Sequence, residues 1–269
     1  MEQRVDPSTV AFLRAAGCVW AEDEARILTE SARSADDLAA LLERRAEGEP
    51  LEYIVGWAEF CGLRIPVREG VFVPRRRSEF LVECAVQAVG TATARIGDDS
   101  RRVRVLDMCC GSGAIGLAVA LGAGGVELLA ADHSAVAVEC ARENLARVGG
   151  AVYQGDLFAA LPEAERHAVD VIVANAPYVP TDEIRNLPAE ARLHEPQPTL
   201  DGGPDGTSVQ GRLLAAAPDW LRAGGFVLIE TSSDMADATA RIARDAGFVV
   251  ETHECPELTA TVVVASLTE

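Results

Sequence analysis

The stretch LDMCCGSGAIGLAVA, residues 106–120, joins an apolar strand-like run to an apolar helical run through a glycine turn. Asp107 stands near the end of the strand-like run, and Gly111 and Gly113 form the turn. Glycine lets the backbone approach a ligand closely, and the N-terminus of the following helix presents free N–H groups. The stretch therefore predicts a ligand site, with a plain strand-to-helix turn as the alternative interpretation.

Strand-like runs alternate with helical patterns from residue 103 onward. Because a parallel connection needs a crossover of about a dozen residues, this alternation predicts an α/β fold with a Rossmann-like sheet covered by helices on both faces. The last two runs are too close for a crossover helix, so the final strand is expected to insert antiparallel. The seven runs are VRVLDM, VELLAAD, AVYQGD, VDVIVAN, GFVLIE, FVVETHE and ATVVVASL.

The N-terminal part has a different pattern and predicts a helical domain over residues 1–50. Apolar residues recur at helical spacing through residues 8–47, which indicates two or three amphipathic helices. Residues 51–73 are rich in β-branched and aromatic residues with interspersed glycines, which predicts a β-hairpin linker. The sheet domain is expected to occupy residues 74–269, with Ser78 as the N-cap of its first helix.

Composition indicates a globular protein of the reducing cytoplasm. The 269 residues are 49% hydrophobic, enough for one large and one smaller core. No apolar run reaches the roughly 18 residues that span a bilayer, and the start MEQRVDPSTV lacks the features of a signal peptide. The seven cysteines form no CxxC pair, so reduced thiols are expected, with neither disulfides nor a metal site.

The charge distribution argues against general nucleic-acid binding. The formal net charge is −18, and all 24 basic residues are arginines. Nucleic-acid affinity comes largely from cationic contacts with phosphates, so a surface this acidic repels them. A local arginine patch remains in VPRRRSEF, residues 73–80.

Two further strand ends carry acidic residues. Asp132 closes a strand 25 residues after Asp107, a position suited to hydrogen bonds from ribose hydroxyls, although capping of the next helix is the alternative. Asp156 follows the next strand and is suited to a base amino group, with an ordinary loop acid as the alternative. These ends are typical of a nucleoside site, and S-adenosylmethionine is a fitting ligand whose sulfonium is compatible with a pocket containing Asp107.

The fourth strand ends in NAPY, residues 175–178, a pattern suited to holding a planar amide. An amide nitrogen is a poor nucleophile, so an enzyme that methylates it needs fixed acceptors for its N–H groups. Asn175 offers its side-chain oxygen, and Pro177 favours an extended Ala176 whose carbonyl can face the ligand. Tyr178 can stack on the planar group. A strand end followed by a proline turn is the alternative.

Motifs along residues 8–269 resemble the protein-(glutamine-N5) methyltransferases of the HemK, PrmC and PrmB group. The HemK and PrmC members of this family modify the Gln of the GGQ motif in release factors, and the PrmB members modify a ribosomal protein. The resemblance implies a class I methyltransferase sheet, S-adenosylmethionine as cofactor, and a helical N-terminal domain that docks a protein substrate. The matching segments are GEPLEYIVGWAEFCGLRIPVREGVFVPRRRSE, VLDMCCGSGAIGLAVA, ARENL, GDLF, NAPYVP and LHEPQPTLDGGPDG.

The resemblance also carries residue roles onto this chain. It assigns substrate-amide recognition to Asn175, Ala176, Pro177 and Tyr178. It assigns cofactor contacts to Asp107, Cys109, Gly111, Gly113, Asp132, Asp156, Leu157 and Asn175.

Some features depart from the family pattern and leave other functions open. This chain has NAPY where the family has NPPY, and PRRRSE where the family has PRPDTE. Cys109 replaces a common glycine, and the helical part is shorter than in release-factor enzymes. A nucleobase amino methyltransferase uses a similar loop, but the acidic charge argues against it. A small-molecule amide or amine methyltransferase fits the short N-terminal part. A non-catalytic binding protein is a further alternative, and the presence of Asn175, Tyr178 and Asp132 argues against it.

Overall fold

The N-terminal segment forms three helices, which confirms the amphipathic pattern predicted there. A computed structural model describes residues 6–97 and 101–268 and gives α1 (Pro7–Ala15), α2 (Ala21–Ser31) and α3 (Ala35–Ala46). Asp6 and Ser34 cap α1 and α3 by accepting hydrogen bonds from nearby backbone N–H groups. Leu13 and Leu28 are fully buried in a small core of their own. The division into domains at residue 50 stays a prediction.

The predicted hairpin linker is only partly correct. Leu51–Val55 forms a short helix, α4. Its neighbouring residues Tyr53 and Ile54 are both buried, whereas a strand would direct them to opposite faces. Gly56, at φ 82°, ends the helix in the left-handed conformation. The hairpin itself comprises β1 (Trp57–Phe60) and β2 (Leu63–Pro66), paired antiparallel. The prediction over residues 51–73 was therefore too wide at both ends.

The first helix of the sheet domain starts where predicted, but Ser78 does not cap it. Residues Arg76–Ser78 form a 3-10 turn, and α5 covers Glu79–Ile96. Ser78 already has helical dihedral angles and makes no side-chain capping bond. Its buried hydroxyl faces Asn175 instead. The start of α5 therefore belongs to the site described below.

One sheet contains all seven strands predicted after residue 103. Its order is β5-β4-β3-β6-β7-β9-β8, with β5 to β7 parallel and β9 antiparallel to both neighbours, as predicted. The strands are β3 (Arg104–Met108), β4 (Glu127–Asp132), β5 (Ala151–Gln154), β6 (Val169–Ala174), β7 (Leu221–Thr231), β8 (Val249–Cys255) and β9 (Ala260–Ser266). The helices are α6 (Ala114–Ala123), α7 (Ala135–Leu145), α8 (Ala189–His194), α9 (Ser208–Ala216) and α10 (Ser233–Asp245).

Two apolar clusters cover the two faces of the sheet. One face packs against α5, α6 and α7, and the other against α9 and α10. β3 and β6 are neighbours in the centre, but the chain runs from β3 outward to β5 before it returns to β6. This reversal opens a crevice at their carboxyl ends, where ligands bind in open α/β sheets. No helix in the described ranges is long and apolar enough to cross a membrane.

The hairpin is expected to be essential for stability because its Phe60 side chain is fully buried in the same cluster as α5 and β3. Phe60→Ala should lower the free energy of unfolding by about 3–5 kcal/mol, the usual range for a buried phenylalanine. Phe12→Ala is the matched control, since Phe12 is 44% exposed. Urea denaturation of both variants measures the difference, and equal losses would mean that the hairpin does not belong to the main core.

Candidate active site

A cavity of about 470 Å³ lies at the carboxyl ends of β3 to β6, within the usual size range of small-molecule sites. Its wall contains most of the residues selected from the sequence: Cys109, Gly111, Asp132, Asp156, Leu157, Asn175, Ala176, Pro177 and Tyr178. Asp107 and Gly113 are absent from it. The structure therefore brings three strand ends and the NAPY loop together around one space.

Asp132 ties the glycine turn to the end of β4. One carboxylate oxygen accepts a hydrogen bond from the Gly111 N–H, and the other accepts one from the Ser134 N–H, both at 2.9 Å. Ser134, and not Asp132, caps α7 through its side chain. The capping alternative for Asp132 is thus wrong. Each carboxylate oxygen keeps a further lone pair for a ligand hydroxyl.

Asp107 points away from the cavity, which corrects the expectation of a pocket containing it. Its carboxylate accepts a hydrogen bond from the Gly116 N–H at 2.8 Å and so anchors α6 to β3. An added Cβ at Gly116 would lie 2.9 Å from that carboxylate, so glycine is required there. Burial raises the pKa of Asp107 to about 7. Gly113, at φ 76°, starts α6 and packs against Leu145.

The end of β5 contributes a turn and an ion pair. Leu157 has a positive φ of 47°, which turns the chain directly after Asp156. Asp156 pairs with Arg212 of α9 at 2.5 Å, and both side chains line the cavity. A base-recognition role for Asp156 stays a prediction, and its carboxylate is already shared with an arginine.

Cys109 and Cys110 are part of the glycine turn and line the same cavity. Cys109 adopts a positive φ of 60°, a left-handed conformation that favours glycine. Burial raises the pKa of both thiols, with Asp107 and Asp132 adding to the rise, so both sulfurs stay protonated near neutral pH. All seven cysteines are described, and they are free.

The NAPY loop lines the cavity and contributes the Asn175 amide side chain to it. Asn175 follows β6, and its Nδ2 donates a hydrogen bond to the Ser78 hydroxyl at 3.2 Å. The other half of the amide, Oδ1, is thereby left for a ligand. Ala176 is fully buried beneath the loop, and Tyr178 forms part of the wall. Burial raises the pKa of the Tyr178 phenol, so the ring is neutral.

The LDGG segment holds the NAPY loop from outside the sheet. The Val179 N–H, directly after NAPY, donates to the Leu200 carbonyl at 3.1 Å, and the Gly202 N–H donates to the Val179 carbonyl at 2.9 Å. Gly206, at φ 77°, also packs closely, because an added Cβ would lie 2.5 Å from the Tyr178 carbonyl oxygen. These contacts give a physical reason for the glycines of this motif.

The HEP segment is fixed by a buried ion pair. Glu195 accepts hydrogen bonds from Arg75 at 2.6 Å and from the Val73 N–H at 3.3 Å. Pro196 and Leu200, which follow it, line the cavity. The first arginine of PRRRSE, Arg75, therefore holds this segment in place through Glu195.

Several residues in or beside the site were not predicted from the sequence. Gly116 completes a G-x-G-x-x-G spacing with Gly111 and Gly113, which could have marked the close approach of α6 to β3. Glu230 ends the strand GFVLIE, the same signal that identified Asp132. Ser78 and Arg212 carry no such signal, because only the tertiary fold brings them to the cavity.

This sheet order, with a cavity at its switch point, defines a class I methyltransferase. A family profile described as "Methyltransferase small domain" matches residues 94–203. A methyltransferase structure from Pyrococcus furiosus has the same fold, with a TM-score of 0.53, 16% identity, and coverage of 88% of this chain and 100% of that one.

Curated relatives narrow the class. The release factor glutamine methyltransferase of Geobacter sulfurreducens is 35% identical over 79% of this chain and 72% of its own length. That of Thermodesulfovibrio yellowstonii is 34% identical over 85% of this chain and 81% of its own length. The chain therefore belongs to the release factor glutamine methyltransferase family and is an enzyme. The resemblance stated from its motifs is confirmed.

Gly202→Ala is expected to lower methyl transfer strongly while the protein stays folded. The added Cβ would lie 2.6 Å from Gly206 O and 2.7 Å from Tyr178 Cα, and backbone atoms cannot rotate away. Gly90→Ala is the control, because its position in α5 is exposed with nothing within 4 Å. The control should gain about 0.5–1 kcal/mol of stability. Full activity of Gly202→Ala would mean that the loop does not need this support.

Proposed function

We propose that this enzyme transfers a methyl group from S-adenosylmethionine to the side-chain amide nitrogen of a glutamine in a protein. A peptide chain release factor is the first candidate substrate, because the curated relatives carry that name. The observation that supports the proposal most directly is the orientation of Asn175, whose Nδ2 is held by Ser78 while Oδ1 is left for the cavity.

The cofactor half of the cavity suits a nucleoside ligand. Asp132 has lone pairs for ribose hydroxyls, and Gly111 leaves space beside them. Asp156 and Leu157, which line the cavity after β5, are proposed to contact the base. S-adenosylmethionine would supply an electrophilic methyl group on its sulfonium. The residues of the chain bind and orient it, and Asp107 acts indirectly by fixing α6.

The acceptor half suits a planar amide. The lone pair of an amide nitrogen is delocalised into its carbonyl, so the nitrogen must be aimed at the methyl group. Asn175 Oδ1 and the Ala176 carbonyl accept the two N–H groups, and the neutral Tyr178 ring stacks on the amide plane. These acceptors also stabilise the positive charge that develops on the nitrogen before a proton is lost.

Residues 1–50 are proposed to dock the protein substrate. Exposed apolar side chains on α1 and the loop after it support this, with Val19 80% and Trp20 70% exposed. Arg45, at the end of α3, pairs with Glu190 of α8 at 3.0 Å, which joins the helical part to the segment leading into the cavity.

The experiment that tests the function offers labelled S-adenosylmethionine with three substrates: a purified bacterial release factor, total RNA and a small-molecule extract. Label in the release factor that disappears when the Gln of its GGQ motif is replaced supports the proposal. Label confined to RNA or to the extract would support the nucleobase or small-molecule alternative instead. Mass spectrometry then locates the methyl group, and a carboxylate oxygen or thiol as acceptor would contradict the amide chemistry.

Asp132→Ala should weaken S-adenosylmethionine binding by roughly 10- to 150-fold, because hydrogen bonds to a charged group contribute about 1.5–3 kcal/mol. The variant also frees the Gly111 N–H. Asp237→Ala, at an exposed position of α10, is the control and should bind normally. Calorimetry gives both affinities, and an unchanged value for Asp132→Ala removes this residue from the cofactor site.

Asn175→Ala should reduce turnover by about 10²–10³-fold, the usual cost of losing one preorganised hydrogen-bonding group. Cofactor affinity should change little, because the ribose contacts come from β4 and not from β6. Asn186→Ala, an exposed asparagine, serves as the control. Single-turnover rates and calorimetry separate the two effects. A parallel loss of cofactor affinity would place Asn175 in the other half of the cavity.

A further inference from the structure

Glu230 is a buried carboxylate beside the acceptor residues. The pairing of Ala174 with Ile229 places Glu230 next to Asn175 across the ends of β6 and β7. Its side chain is 1% exposed. One oxygen accepts a hydrogen bond from Arg77 Nε at 3.2 Å, while the other is buried and, within the described residues, makes no hydrogen bond of good geometry. Burying a charged group costs free energy, so the position of Glu230 beside the site suggests that it has a function there.

Four groups from two segments surround this carboxylate. Arg77 and Ser78 come from the turn before α5, and Asn175 and Tyr178 come from the NAPY loop. Burial raises the pKa of Glu230, whereas the Ser78 hydroxyl, the Arg77 guanidinium and the Asn175 amide oppose the rise. Ser78 also receives the hydrogen bond from Asn175 Nδ2. Ser78 therefore lies between Glu230 and Asn175, and these three neighbouring groups form a polar chain in which the hydrogen bond from Asn175 to Ser78 has good geometry.

The charge gives this chain a direction. An ionised carboxylate can only accept hydrogen bonds. It therefore accepts one from the Ser78 O–H, which leaves the hydroxyl lone pairs for Asn175 Nδ2. The opposite orientation of the Asn175 amide would set Oδ1 against those lone pairs and against the negative charge. A hydroxyl without the carboxylate could donate or accept and would serve either orientation.

We propose that Glu230 is a positioning residue that fixes the orientation of the Asn175 amide and keeps Oδ1 directed at the methyl acceptor. The inference rests on the proposed function, because it takes Asn175 to receive a hydrogen bond from the substrate amide. Arg77 is the countercharge that opposes protonation of Glu230. Its side chain is 44% exposed and also lines the cavity.

Glu230→Gln tests the role with little change of shape. The new amide can donate as well as accept, so it no longer dictates the direction of the chain. We expect kcat for glutamine methylation to fall about tenfold or more, which corresponds to about 1.4 kcal/mol. Cofactor affinity and the thermal unfolding midpoint identify a folded variant with an intact cofactor half.

The Asn175→Asp background separates positioning from general support. A carboxylate at position 175 accepts through either oxygen and needs no orientation. Glu230→Gln should therefore cost nothing in this background, and it should relieve the repulsion between two neighbouring acids. An equal fractional loss of kcat in both backgrounds, or full activity of folded Glu230→Gln, overturns the proposal. Absence of glutamine methylation by the wild type would instead contradict the proposed function.

Glu195→Gln is the matched control for a buried acid. Glu195 has the same side-chain exposure of 1% and an arginine partner at 2.6 Å, and one of its buried oxygens has no hydrogen-bond partner among the described residues. Its hydrogen bonds go to Arg75 and Val73, away from Asn175. Any loss that it causes should be equal in the two backgrounds.

The pH dependence of kcat provides a second route if Glu230→Gln fails to fold or if Asn175→Asp is inactive. A protonated Glu230 can donate like a glutamine, so turnover should fall toward acid pH as this group gains its proton. Arg77→Gln removes the countercharge, which raises the pKa of Glu230 further and moves that fall to higher pH. Of the groups facing Glu230, Arg77 and the neutral Tyr178 do not titrate in this range. An unmoved profile in folded Arg77→Gln overturns the proposal.

Discussion

The reversal of strand order between β3 and β6 is the constraint on which the rest of the site depends. Parallel strands end at one edge of the sheet, and helices that leave this edge in opposite directions cannot fill the space between the two central strands. In the proposed site, β3, β4 and β5 deliver the cofactor half, and β6 and β7 deliver the acceptor half. Two sets of groups from opposite directions thus face each other, and on the acceptor side the LDGG segment holds the NAPY loop in place.

Three buried carboxylates hold the segments around this crevice in place. Asp107 anchors α6, Glu195 anchors the segment after α8, and Glu230 lies between β7 and the turn before α5. The last two have arginine partners, whereas the Asp107 carboxylate accepts a backbone N–H, and burial raises its pKa to about 7. Paired and hydrogen-bonded acids of this kind are rigid, so the site is preorganised before a ligand arrives.

Local sequence pattern was sufficient for the seven strands after residue 103 and for the three N-terminal helices, because apolar runs mark the strands and helical spacing marks the amphipathic helices. It failed at Leu51–Val55, where a five-residue helix is too short to show a period and β-branched residues suggest a strand. It failed also at Ser78, since a serine before a helix looks the same whether its hydroxyl caps the helix or faces a strand end far along the chain.

The candidate site divides in the same way. Residues at strand ends could be selected because topology brings all such ends to one edge. The direction of the Asp107 side chain and the pairing of Asp156 with Arg212 depend on packing between elements distant in sequence. A resemblance to known enzymes transfers positions, but it does not transfer the contacts made by PRRRSE, which differ from the family pattern in this chain.

The insertion of β9 between β7 and β8 has a consequence for the order of folding during synthesis. Until residues 260–266 leave the ribosome, β7 has an open edge, and the strand that carries Glu230 is paired on one side only. The cofactor half is complete in sequence much earlier, with β5. A nascent chain is therefore expected to acquire cofactor affinity before it acquires an ordered acceptor site, and its exposed β7 edge is then open to pairing with other chains.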